Sequence, residues 1–200
     1  MSAIARIPSH VGVVGVITCP ACGGPLKHDS DWCPACGFTG AHSMDLFPEA
    51  PPPLMPILDA AGIFSGRDVR KIETARDKLR RRFPQFHWKV CTVVLPAEAD
   101  PAVFGFWLLN VCPLHGKETA EDRAATVLLL IDGHTGQVVA VPGYAVEPVL
   151  SDESWKVILA TMAGPWRAGQ PVEAVILFFK NTRIHLERAW KSYGARRSAR

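Results

Sequence analysis

The densest apolar stretch of the chain is Val127-Leu128-Leu129-Leu130-Ile131. It is too short for a membrane span and long enough for a strand buried on both faces. Asp132-Gly133-His134-Thr135-Gly136 follows as turn chemistry, and Gln137-Val138-Val139-Ala140-Val141 reads as a second strand. The two predict an antiparallel hairpin. Gly143-Tyr144-Ala145-Val146-Glu147 is a small-residue loop, and Ser151-Asp152-Glu153 carries the signature of a helix start.

Outside this centre the pattern changes period. Ser65, three residues before Asp68, predicts a capping box with Asp in place of Glu, followed by a helix burying Val69, Ile72, Leu79 and Phe83. Its other face holds Arg70, Lys71, Arg76, Lys78, Arg80 and Arg81, and reads as solvated, with Glu73 and Asp77 partly neutralising it. His87–Leu95 alternates and is β-branched, which predicts a strand, with Cys91 as a buried small hydrophobe. Asp100-Pro101 opens a helix over Ala102–Asn110, with Phe104, Trp107, Leu108 and Val111 as its apolar stripe. Lys117–Arg123 is a charged lead-in to the hairpin. The helix after Ser151 buries Trp155, Ile158, Leu159 and Met162 and ends near Ala163-Gly164-Pro165. A last helix, Val172–Trp190, buries Val172, Val175, Ile176, Phe179, Leu186 and Trp190. The order is helix, strand, helix, strand, strand, helix, helix. That predicts an α/β class, an α/β/α sandwich around a small mixed sheet.

The net charge of +3 changes little once it is located, because Arg196, Arg197 and Arg200 supply it and leave the rest formally neutral. A solvated tail is the expectation. Val11–Ile17 is short for a signal-peptide core and no cleavage site follows it. No run reaches the length of a transmembrane helix. The expectation is a cytoplasmic chain, whose cysteines serve as metal ligands rather than disulfides.

The strongest chemical signal is Cys19, Cys22, Cys33 and Cys36, two C-P-A-C-G units with ten residues between Cys22 and Cys33. Each pair aims two sulfurs at one ion, and Gly23 and Gly37 let backbone amides approach the thiolates. The two units predict a tetrahedral shell for zinc, with iron as the geometric competitor. Over about twenty-five residues the segment resembles zinc-ribbon, rubredoxin-like knuckles. Four thiolates leave no open position, so the zinc is expected to be structural. His28 and His42 are expected on the surface, and Trp32 is expected to pack the ribbon onto itself or onto the larger domain. The expected organisation is a ribbon with an N-terminal strand over 1–43, a proline-rich linker over 44–56, a larger domain over 57–193 and a basic tail over 194–200.

The larger domain resembles the TPM domain family through D-A-A-G-I-F-S (59–65), F-W-L-L-N (106–110), T-V-L-L-L-I-D (126–132) and G-Y-A-V-E-P-V-L-S-D (143–152). That family includes thylakoid-lumen acid-phosphatase-like proteins of photosystem II repair and many bacterial exported proteins. The resemblance implies an α/β/α sandwich, a carboxylate site for calcium or magnesium and, for some members, phosphatase activity. Its acidic positions fall on Asp59, Glu147 and Asp152, with Asp132 and Asp122 as further candidates. Such carboxylates hold a divalent cation that activates water and clamps a phosphoryl group. Read from the residues alone, Asp59 and Asp152 are also turn and helix-end chemistry and Glu147 a loop carboxylate. Cys112 and His115 invite a nucleophile–base pair, but the sequence supplies no orienting group.

The function expected is a non-enzymatic interaction or assembly module with a protein partner. The alternatives are a divalent-metal-dependent phosphatase on the acidic loops, or nucleic-acid binding through the ribbon. The last is disfavoured because the segment between the knuckles sets Lys27 against Asp29 and Asp31.

Overall fold

A computed structural model describes residues 17–26, 30–47, 51–113 and 115–198, with the backbone alone at 17–18, 152 and 193–198. Most of the Val11–Ile17 run, His28, and the side chains of the basic tail lie outside the described residues.

β5 (Thr126–Asp132) is buried at every one of its seven positions. A strand with no solvent face needs a neighbour on each edge and a layer on each side. β4 (His87–Val93) pairs with it in parallel, His87 opposite Thr126 and Val93 opposite Asp132. β6 (Val138–Pro142) pairs antiparallel on the other edge, forming the expected hairpin. A short strand not expected from the sequence, β3 (Ile57–Asp59), adds in parallel to β4 and gives the order β3-β4-β5-β6. Three half-buried residues before a turn leave too little alternation to read as a strand.

Because successive side chains on a strand face opposite ways, the sheet carries two cores. Trp88, Val90, Val127, Leu129 and Ile131 pack against α2 (Gly66–Arg82), α5 (Asp152–Ala160) and α7 (Pro171–Ser198) through Ile72, Leu79, Trp155, Ile158, Phe178 and Phe179. Cys91, Leu128, Leu130 and Val139 pack against α3 (Pro101–Val111) through Trp107 and Leu108. The result is the α/β/α sandwich.

The capping box at Ser65 forms as expected, Ser65 Oγ accepting from the Asp68 amide and Asp68 accepting from the Ser65 amide. Four details differ from expectation. Lys117–Arg123 contains a helix, α4 (Ala120–Ala124), started by a Thr119–Asp122 capping box. Ala163-Gly164-Pro165 opens α6 (Ala163–Arg167), since a proline in the first turn removes an amide that has no intrahelical partner. Trp190 is exposed rather than buried: α7 meets the end of α2 at the Glu187–Arg82 pair, and Trp190 falls past it. Finally, the proline-rich segment is not a plain spacer. α1 (Gly40–Leu46) occupies its start, Leu54 is 1% exposed within the α3-side core, and the Leu54 amide donates to the Pro113 carbonyl.

One charged group crosses into the α3-side face. Lys89 is 2% exposed, and its Nζ meets Glu118 Oε1 at 2.5 Å. Glu118 also accepts from the His115 amide, and His87 Nε2 lies 2.9 Å from Asp122 Oδ1. These contacts staple the 115–124 segment to β4. Glu118→Ala strands the Lys89 ammonium and is expected to lower stability in urea unfolding by about 3–5 kcal/mol. Lys89→Met combined with Glu118→Leu is expected to recover most of that loss.

Candidate metal centre

The two C-P-A-C-G units fold alike because their sequences are alike. In each, the glycine amide donates to the first cysteine's carbonyl, Gly23 to Cys19 at 2.9 Å and Gly37 to Cys33 at 2.8 Å. Both glycines sit at φ 74°, a left-handed conformation that a side chain disfavours. The first unit lies between β1 (Ile17–Thr18) and β2 (Pro25–Leu26), an antiparallel pair. The second runs into Thr39, which caps α1 with His42 in the reciprocal position, so the exposed His42 ring serves the cap rather than an ion.

The four Sγ atoms lie within 4.8 Å of one another. Cys19 and Cys36 approach to 3.7 Å and Cys22 and Cys33 to 3.6 Å, too far for disulfides. A tetrahedral ion with bonds of about 2.3 Å to sulfur places its ligands about 3.8 Å apart, so the donor set fits a metal ion such as zinc. The amide that reaches a sulfur is that of Gly24, 3.4 Å from Cys22 Sγ. Gly23 and Gly37 make the left-handed turns, and the turn at Gly23 brings a backbone amide to a sulfur, as expected.

Trp32 does not pack the ribbon; it is 56% exposed. The docking residues are Phe38 and Phe47, at the two ends of α1. Phe38 meets Phe106 edge-on at 6.0 Å, and Phe47 meets Phe104 at 5.0 Å and Trp107 at 5.3 Å. The readable signal was a phenylalanine on each side of the Thr39–His42 cap.

The acidic candidates are distributed over both ends of the sheet. Asp59 ends β3 and accepts from the amides of Ile63 (3.1 Å) and Phe64 (2.9 Å) and from the Thr92 hydroxyl. Asp132 ends β5 and accepts from the His134 amide (3.0 Å) and the Thr135 hydroxyl (2.5 Å). Both lie at the same end and hold their turns. Glu147 follows β6, whose last residue pairs with Val127, so it lies at the opposite end. Asp122 precedes β5 there; the Thr119 amide, then His87, holds its carboxyl below the usual range. Asp152 opens α5, and its side chain is outside the described residues. Among the described residues, the four cysteines are the only convergent group of three or more metal-ligating side chains.

Two other thiols are inert by environment: burial pushes Cys91 up to about 12 and Cys112 up to about 11. Cys112 is thus held as a protonated thiol, and His115 is exposed, its amide on Glu118. Glu147 is perturbed in a different way, pushed by burial from 4.5 up to about 7.

No family model matches the sequence, and no curated protein matches it. Among the solved structures similar to it are two determined by NMR. The N-terminal domain of a protein from P. gingivalis covers 74% of this chain and 88% of its own, at 17% identity and a TM-score of 0.51. The N-terminal domain of cg2496 from Corynebacterium glutamicum covers 64% and 77%, at 12% identity and a TM-score of 0.50. Both likenesses show the α/β/α fold. Among the described residues, no helix is long and apolar enough to cross a membrane.

Two outcomes test this geometry. Purified protein is expected to carry a single tightly held metal ion per chain by elemental analysis, lost in Cys33→Ser. Chelation should open Cys19, Cys22, Cys33 and Cys36 to a thiol reagent while Cys91 and Cys112 stay protected by burial. For Glu147 the folded value lies above the unfolded one, so its contribution to stability is present below pH 4.5 and is lost as the pH rises to about 7. Glu147→Gln is therefore expected to match the parent at pH 4 and exceed it by about 1 kcal/mol at pH 8, after discounting for solvent screening.

Proposed function

We propose that this protein is a non-enzymatic interaction or assembly module, a TPM-type α/β/α domain with a structural zinc ribbon fixed to one face. The observation that carries the reading is the contrast between the two sets of candidate ligands. The thiols close a complete four-sulfur shell, with no place for a reacting water. The described candidate carboxylates are divided between the two ends of the sheet, Asp59 and Asp132 at one and Asp122 and Glu147 at the other, and Asp59 and Asp132 are already engaged by backbone amides.

The surface favours a protein partner over nucleic acid. Trp32 on the ribbon and Met44 and Leu46 on α1 are exposed apolar side chains on the module that the metal organises. Exposed aromatic and apolar side chains suit a protein interface better than a phosphate backbone.

The test has two arms. Phosphomonoester hydrolysis, assayed after chelation and after restoring calcium or magnesium, is expected to show no metal-dependent turnover. Turnover that falls in Asp59→Asn or Glu147→Gln with the fold intact would make the protein a phosphatase. In affinity capture, a specific protein partner is expected with the parent chain. It should be lost when Cys19 and Cys22 are replaced by serine and weakened about tenfold or more by Trp32→Ala, as for an interfacial aromatic anchor. Failure to retrieve any specific protein from an intact chain would count against the interaction reading.

A further inference from the structure

A second site lies beneath the ribbon, at the sheet end that holds Glu147. α3 and β6 touch at Gly105, where any Cβ would come within 2.8 Å of Val141 Cγ2. On the α3 side of that contact Ala102 is small, and Ala120 and Ala124 continue the wall along α4. The layers cannot close over side chains this short, and they leave a pocket of about 220 Å³. Pro20 of the first cysteine turn and Phe106, the residue against which Phe38 packs, complete the wall. The ribbon therefore forms part of the enclosure.

The loop over the pocket is held in place by its backbone. Gly143 donates to the Thr126 carbonyl at 2.7 Å and Ala145 to the Ala124 carbonyl at 2.9 Å. A Cβ at Gly143 would lie 2.4 Å from the Ala124 oxygen, so only glycine permits this approach. The pinned loop sets Tyr144 and Glu147 on the pocket wall.

Three groups in the lining bear on charge. Arg123 is committed elsewhere: its Nη1 and Nη2 donate to the Leu109 and Cys112 carbonyls at the end of α3. Tyr144 is half-exposed, and its hydroxyl is shifted upward by burial and then by the neighbouring Glu147. Glu147 has no hydrogen-bond or ion-pair partner among the described residues. A carboxyl group drawn out of water, with no ion-pair partner among the described residues, beside an apolar space and an aromatic ring, is complementary to one kind of ligand.

We propose that this pocket binds a small organic ammonium ion with a compact apolar body, the ammonium pairing with Glu147 beside Tyr144 and the body filling the space between α3 and β6. An apolar cavity of about 150 Å³ admits a benzene ring, so the space suits a body of that size. A carboxylate ligand is disfavoured because Arg123 is spent on α3 and Glu147 would repel it. Burial keeps much of Glu147 protonated near neutrality, and an arriving ammonium stabilises the ionised form, so binding expels a proton below pH 7. This site goes beyond the interaction reading and does not depend on it.

The experiment titrates the full-length, metal-loaded chain by calorimetry and protein-observed NMR with benzylammonium, benzyl alcohol and benzoate. Benzylammonium is expected to bind about tenfold or more tightly than benzyl alcohol, and benzoate not at all, as a charge-assisted hydrogen bond would dictate. Its affinity should fall as the pH drops below 7. Glu147→Gln should bring benzylammonium down to the level of benzyl alcohol, with the amide NMR spectrum of the rest of the domain retained, which shows that the pocket is still folded. Ala102→Leu, filling the space, should remove both. Equal binding of ammonium and alcohol, full ammonium affinity in Glu147→Gln, or no benzylammonium binding at millimolar concentration would each overturn the proposal.

Discussion

The arrangement of the molecule follows from β5, a strand with no residue left for water. Its alternate side chains supply apolar surface in both directions, so helices must cover both faces, and its two edges need β4 and β6 to satisfy its amides and carbonyls. Everything that concerns function is placed by that requirement. The sheet's two ends become separate sites, because the parallel strands end on one side and the hairpin returns the chain to the other. Asp59 and Asp132 are carried to the first end and Glu147 to the second.

The ribbon extends this architecture through α3, a helix used on two sides. Leu108 faces the sheet, Phe106 receives Phe38, and Phe104 and Trp107 receive Phe47. A short metal-dependent module cannot bury much surface of its own, so aromatic contact with α3 adds what the cysteine turns lack. The same helix packs so closely on β6 at Gly105 that the flanking alanines are left facing a pocket. The cysteine cluster, α3 and the pocket are thus contiguous.

Much of this was legible in residues whose meaning is local. The Ser65–Asp68 box, the apolar run of β5 and the Asp132–Gly136 turn each declare themselves within a few positions. The paired cysteine units do too, because both turns are written in identical residues. What was hard to read depended on pairing across distance. β3 is a strand only because β4 lies beside it, and the exposure of Trp190 is not written in its own stretch of α7. Trp32 and Phe38 are both aromatic residues near the knuckles, and nothing local says that Phe38 meets α3 while Trp32 faces solvent. Lys89 lies in a strand whose neighbours are apolar, and its counterion is 29 residues away.

By itself, then, the sequence determined the α/β layer class, the central hairpin, the helix starts and a cluster of four cysteines that could hold a metal ion, because periodicity, capping and cysteine spacing act over a few residues. Tertiary structure decided which side chains share a space. It parted Asp59 from Glu147, tied Glu118 to Lys89, turned Trp32 outward, and set Glu147 on the wall of a pocket that Pro20 of the ribbon also lines. Those outcomes depend on sheet order and on how closely two layers approach, quantities that no short stretch of residues carries.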